Sequence, residues 1–176
     1  MGLSIFLTNL GRYVEGALVG CWVKLPVSAD KLNAVLEKIG INGQYEEYFI
    51  SDWETSISGL HNAISEYSNV IALNELAEML EELSSDDEDK LGAVLEVESC
   101  RSVEEIKELI EQLDNFNLLP DIQEDEDLGY YYAEECCCIE IPEHLRSYFD
   151  YEAYGRDIRL ESTGTFTSYG YLEDNR

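Results

Sequence analysis

Basic residues are what this chain has least of. Lys and Arg number 11 against 38 Asp plus Glu, a formal net charge of −27 over 176 residues. Long-range repulsion at that charge opposes encounters with DNA, RNA or an anionic bilayer, so no nucleic-acid and no membrane partner is expected. Proline is scarce too, at 3 residues, while Leu, Ile, Val and Phe reach 49 of 176. That apolar share exceeds the roughly one-fifth below which highly charged chains fail to fold, so the chain is a folded acidic protein. No apolar run approaches the about 18 residues a membrane-spanning helix needs. Met1–Leu10 shows no basic leader and no cleavage pattern, and Phe6 stands where a myristoylation pattern wants Ser or Thr. The expected location is the cytoplasm.

Catalytic equipment is missing as well. His61 and His144 lie far apart, and neither neighbours a motif Ser or Cys. No phosphate-binding glycine loop and no dinucleotide fingerprint occurs. Many carboxylates without a recognisable partner set are no sign of acid–base chemistry. The chain is therefore expected to be no enzyme, with no catalytic residues and no cofactor. Five cysteines, Cys21, Cys100 and the run Cys136-Cys137-Cys138, contain no C-x-x-C spacing. Adjacent strand residues point to opposite faces, so the run cannot close on one metal, and the five are read as small buried hydrophobes. Asp121, Gln123, Asp125 and Asp127 imitate calcium-loop spacing, but Glu126 stands where Gly is required and Tyr132 where Glu is required. No metal site is expected.

What the chain does have is acid, unevenly placed. Residues 1–60 carry net −3, residues 61–128 net −18 and residues 129–176 net −6. The fold class read from the pattern is α+β, in three segments: 1–68, 69–113 and 114–176. In the first, Leu3, Ile5 and Leu7 alternate as a strand, and Leu18–Val23 and Tyr45–Ile50 are further strands. Between them Leu32, Val35, Leu36 and Ile39 have helical spacing, closed by Gly40. Glu46 and Glu47 suit a solvated sheet edge. In the second segment Leu73, Leu76, Ala77, Leu80 and Leu83 form one apolar stripe, with Glu75, Glu78, Glu81 and Glu82 outward. Leu91, Val94 and Leu95 mark another helix. A third opens with the capping box Ser102-x-x-Glu105 and turns Val103, Ile106, Leu109, Ile110 and Leu113 inward. Glu104, Glu105, Glu108, Glu111 and Asp114 lie on its other face, relieved by Lys107. Ser84–Asp89, containing Asp86, Asp87 and Glu88, and Glu124–Asp127, containing Asp125 and Glu126, read as acidic links. In the last segment Pro142 opens a short helix through Phe149, and Arg156–Leu160 and Thr165–Thr167 read as short strands. Eight of the 12 Tyr follow residue 128. They fit an interface or an aromatic core equally.

A merely soluble helix interleaves Lys with Glu, and the segment 61–128 does not. Its self-repulsion needs a reason, and imitation of a polyanion supplies one. B-DNA carries one charge per about 1.7 Å, so a dimer of twice −27 would match roughly 92 Å, or about 27 base pairs, of duplex. Helical carboxylates three or four residues apart rise by about 4.5–6 Å, comparable to one or two base-pair steps. The rival reading is an acidic chaperone or buffer for basic nucleic-acid-binding proteins.

The sequence closely resembles the ArdA family of antirestriction proteins, DNA mimics of bacterial mobile elements. The resemblance runs through Ile5–Tyr13, Glu15-Gly16, Leu18-Val19-Gly20, Trp22, Pro26, Ile39-Gly40, Tyr45–Tyr48, Glu66-Tyr67 and Leu73–Leu76. It closes on Gly129-Tyr130-Tyr131 and Tyr151–Ile158. The Cys136–Cys138 run and Thr55–Ala63 depart from the pattern. The resemblance implies an elongated chain of three small domains that dimerises through the third and blocks type I restriction–modification enzymes by occupying their DNA-binding groove. It makes Glu75, Glu78, Glu81 and Glu82 the first candidates for phosphate mimicry. Asp86, Asp87, Glu88, Glu104, Glu105, Glu108, Glu111, Asp114, Asp125, Glu126 and Asp127 complete the expected partner-binding set.

Overall fold

The computed structural model describes residues 2–176. They form a mixed α and β structure with two small antiparallel sheets. Packing separates the chain into two compact units, where the sequence pattern divides it into three segments. One unit holds the residues up to Glu88 together with Glu98–Glu111, and the other holds Asp89–Val97 and Gln112–Arg176.

The first unit is built on β1 (Leu3–Asn9), β2 (Gly20–Leu25) and β3 (Tyr48–Thr55), in the order β2-β1-β3. Alternation decides which face is buried: Leu3, Ile5 and Leu7 are 2% exposed or less, as are Leu25 and Ile50 on the flanking strands. The β1–β3 register slips between Phe6 and Leu7. The residue set over by that bulge, Ser51, meets the buried Thr8 hydroxyl at 2.6 Å. At the end of β1 the fully buried Asn9 spends its side chain twice. Its Oδ1 accepts from Arg12 N at 2.9 Å and caps α1 (Leu10–Val14), while its Nδ2 donates to Ile39 O at 3.1 Å. That second bond holds the end of α2 (Ala29–Lys38), which Gly40 terminates in the left-handed conformation expected of it (φ +82°).

Two further helices of this unit are amphipathic. In α3 (Val70–Glu82) Asn69 caps the first turn, and Val70, Leu73, Leu76, Ala77 and Leu80 are buried. In α5 (Val103–Glu111) the buried set is Val103, Ile106 and Leu109. The Ser102 hydroxyl accepts from Glu105 N at 3.2 Å, and the Glu105 carboxylate reaches back to Arg101 N at 2.7 Å, one residue earlier than a capping box prescribes. Between them α4 (Ser85–Val97) begins in the first unit and continues in the second, with Leu91–Leu95 buried.

The second unit holds β4 (Phe116–Leu119), β5 (Thr165–Thr167) and β6 (Gly170–Asp174), in the order β4-β6-β5. Its core gathers Ile122, Leu128 and Tyr171, with Tyr131, Tyr132, Ile158 and Phe166 packed against them. The Tyr171 hydroxyl, inside that core, meets Ser162 Oγ at 2.7 Å, and burial pushes its pKa up. The tyrosines thus divide: Tyr171 is a core residue, whereas Tyr148 is 83% exposed.

Helices α6 (Asp125–Tyr130), continued by a π-helical turn, and α7 (Tyr151–Glu161) cross backbone to backbone. A Cβ on Gly129 would fall inside the radius of Tyr151 O, and one on Gly155 inside that of Asp125 O. Arg156–Leu160, expected as a strand, therefore belongs to α7. Asp150 caps that helix through Ala153 N at 2.9 Å, and the Gly155 that weakens its local propensity is the residue its packing requires. The cysteine expectation is corrected as well. Cys100 is buried and its thiol is pushed up by burial, but Cys136, Cys137 and Cys138 are exposed, on an irregular stretch beyond the π-helical turn.

Candidate acidic interaction surface

In the first unit the burial of the α3 and α5 stripes decides where the acids point. Glu75, Glu78, Glu81 and Glu82 are exposed on α3, and Glu104, Glu105, Glu108 and Glu111 on α5, with Asp114 exposed just beyond in the second unit. Glu104, Glu108 and Glu111 follow one another by four and three residues, a row of axial steps of about 6 and 4.5 Å. Glu75, Glu78 and Glu82 make a second row on α3. A cation joins the two helices: Lys107 Nζ meets Glu75 Oε2 at 2.5 Å. The proximity raises the Lys107 pKa, so the lysine stays charged. Elsewhere the partners are neutral: Asn74 Nδ2 donates to Glu78 at 3.1 Å, and its Oδ1 holds Val27 N at 2.7 Å.

The two acidic stretches read as links are helix first turns. Ser85–Glu88 opens α4 and Asp125–Asp127 opens α6. Carboxylates sit favourably there, beside the unpaired N–H groups and the positive end of the helix dipole. Ser84 Oγ accepts from Asp87 N at 3.2 Å and donates to Asp87 Oδ2 at 2.8 Å, while Asp86 is exposed. Asp87 and Glu88 are half-buried.

In the second unit the acids turn inward more often. Asp125 is gripped by Arg159 through two bonds of 2.7 and 2.9 Å, and the guanidinium holds its carboxyl below the usual range. Asp127 accepts from Gln123 N at 3.1 Å and is half-buried, while Glu126 is exposed. Tyrosines join or stand in for bases as partners: Tyr151 donates to Glu134 at 2.6 Å, beside Arg146 Nη2 at 3.2 Å, and Tyr132 donates to Glu173. In the first unit Tyr45 does the same to Glu15 at 2.9 Å. A hydroxyl satisfies a carboxylate without cancelling its charge, and each of these Tyr hydroxyls is pushed up in pKa.

Of the set expected from sequence, Asp87, Glu88 and Asp127 are half-buried, Asp125 is committed to Arg159, and the remaining members are exposed. The Tyr–carboxylate pairs escaped sequence reading because their members lie 17 to 41 residues apart. Exposed Ile71 was also missed, although it falls off the apolar stripe of α3, which was the available signal.

The class these features define is an acidic, helix-displayed surface on an α+β scaffold. A family model described as antirestriction protein (ArdA) matches residues 5–173, nearly the whole chain, so the protein belongs to the ArdA antirestriction family. Membership implies an antirestriction function exerted on restriction enzymes, in a family of inhibitors rather than enzymes. No curated protein matches the chain. Among the described residues no helix is long and apolar enough to cross a membrane.

Proposed function

We propose that this protein is a stoichiometric inhibitor of type I restriction–modification enzymes, a homodimeric DNA mimic working in the cytoplasm. The observation that carries the reading is the pair of exposed carboxylate rows on α3 and α5, bridged by Lys107 at Glu75, within a segment of net −18. Fixed on packed helices, those carboxylates stand in for phosphates before a groove lined with Lys and Arg. Dimerisation through residues 114–176 would double the length of the display.

The mechanism is summed electrostatics. Each carboxylate contributes little, and binding releases the counterions held around both surfaces, so affinity falls steeply with salt. Neutralising Glu78, Glu81, Glu82, Glu104, Glu108 or Glu111 singly to Gln should change inhibition by less than about threefold, because each removes one of many screened charges. A large loss from one of them would point to a local contact instead.

The deciding experiment titrates the protein into a type I restriction enzyme cutting unmodified DNA, with a basic histone-like protein as the control ligand. Saturating inhibition at about one dimer per enzyme, with far weaker capture of the control, supports the mimic. Equal and loose binding to both would make the protein an acidic buffer for basic proteins. Sedimentation of the free protein as a monomer at working concentration would remove the dimer from the reading.

A further inference from the structure

A protein that bound by charge alone would be captured by every basic protein in its surroundings, so selection needs something besides carboxylates. The first unit holds a candidate at the N-terminal end of the α3 row, where Ile71 precedes Glu75 by one turn. Tyr13, Tyr67 and Ile71 are 54%, 81% and 66% exposed. The Tyr13 ring stands edge-on to Phe49 at 5.2 Å. Phe49 in turn lines, with Tyr48, Ile50, Tyr67 and Ile71, a groove of about 390 Å³.

The groove lies between the outer sheet edge and the segment Glu66–Ile71. β3 is the outer strand, and Ile50 N donates on its free side to Glu66 O at 3.0 Å. The rim is acidic: Glu66 lines the groove, and Glu46 and Glu47 are exposed just before β3. The nearby Arg12 is held by Glu15 at 3.4 Å and lies over the Tyr45 ring at 4.4 Å. No Lys or Arg is among the residues described as lining the groove. Nor does the fold need Ile71 outward, since the buried stripe of α3 runs through Val70, Leu73, Leu76, Ala77 and Leu80.

We infer that this groove docks an extended segment of the target protein in which Lys or Arg alternates with aliphatic residues. With Ile50 N already bonded to Glu66 O, the segment is held through its side chains, for which Tyr48, Tyr67 and Ile71 offer apolar contacts. Arg and Lys stems lie well along tyrosine rings while their heads reach Glu46, Glu47 and Glu66. A second copy of this chain is the poorer occupant, because it brings another −27 to an acidic rim. The identity of the target rests on the antirestriction reading; the docking chemistry does not.

Two arms test the inference. In the first, the isotope-labelled protein is titrated with a synthetic peptide alternating Lys and Val, and with one alternating Lys and Gly. The Val peptide should bind about tenfold tighter, with chemical-shift changes confined to Tyr48–Ile50 and Glu66–Ile71, and Tyr67→Ser/Ile71→Ser should erase the difference. Equal affinities, or shifts spread over the acidic helices, would overturn it. Both substituted side chains are exposed, and circular dichroism checks that the variant folds. In the second arm, the same variant should inhibit a type I restriction enzyme about tenfold less well with an unchanged salt slope, because no charge has been removed. Full inhibition by the variant would overturn the groove's role at that target. Selective peptide binding by a protein that inhibits no restriction enzyme would leave the groove standing and remove the antirestriction reading instead.

Discussion

Two helix pairs use the same residue type in opposite ways. On α3 and α5 the acids stand outward in rows, and one lysine, Lys107, bridges to one of them. On α6 and α7 the first acid of the pair, Asp125, is turned into a two-point grip on Arg159, beneath a crossing so close that two glycines supply the space. The difference lies in the partners, since all four helices are acidic. Where packing brings a guanidinium within hydrogen-bond distance a carboxylate stabilises the fold, and where it does not the carboxylate adds to the field in front of the surface. One molecule thus spends a few acids on its own structure and displays the rest.

The largest effect should come from the crossing. Gly155→Ala places a methyl group against the Asp125 carbonyl, where backbone rather than a flexible side chain must yield. The expected loss is about 2–3 kcal/mol, the scale of overpacking, even after the better helix propensity of Ala. For a chain of this size that lowers Tm by roughly 8 °C, measurable by calorimetry. Gly43→Ala is the matched control, with nothing within 4 Å of its would-be Cβ. Equal melting of the two variants would mean that the helices are not in backbone contact.

Asp125→Asn should come next, lowering Tm by about 3 °C through loss of a charge-assisted pair, while Glu108→Gln on the exposed row should leave Tm unchanged or slightly raised. The pH dependence separates them further. The folded Asp125 carboxyl lies below its ordinary value because Arg159 bonds the charged form. Its contribution is therefore complete above the unfolded value of about 3.9 and is lost as pH falls through the lower folded value. Wild-type stability should therefore fall as pH drops below about 4, and Asp125→Asn should flatten that acid limb. An unaltered acid limb in that variant would place the acid-sensitive group elsewhere.

The same contrast marks how far the sequence could be read. The α3 stripe, the Ser102 cap, the Gly40 stop and the alternation of β1 were legible, because each depends on neighbours within a few residues. Ser84–Asp89 and Glu124–Asp127 were misread as links, since Ser and Asp weaken helix interiors while favouring first turns. The Arg156–Leu160 alternation matched a strand over only five residues, and the decisive facts, the Asp150 cap and the Gly129–Gly155 crossing, lie outside that window. The exposure of Cys136–Cys138 depends on the irregular path after the π-helical turn. On the surface itself, the outward acids of α3 and α5 were legible from the stripes, whereas the commitment of Asp125 to an arginine 34 residues away was not.

The smallest effect is the most direct gauge of the displayed acids. Within a row the steps are about 4.5–6 Å, too short for salt to screen fully, but repulsion between rows and between helices acts over longer distances. The screening length falls from about 30 Å at 0.01 M to about 8 Å at 0.15 M salt, so raising salt across that range should remove most of the longer-range part. Tm should then climb by about 2 °C, against the ordinary expectation that salt weakens surface ion pairs. The triple variant Glu104→Gln, Glu108→Gln, Glu111→Gln should start from a higher Tm at low salt and climb less. Because none of these side chains is buried, the difference between the two salt curves reports repulsion rather than packing. A flat wild-type curve would mean that the carboxylates of α3 and α5 are paired in solution, and would leave them without the free charge that phosphate mimicry requires.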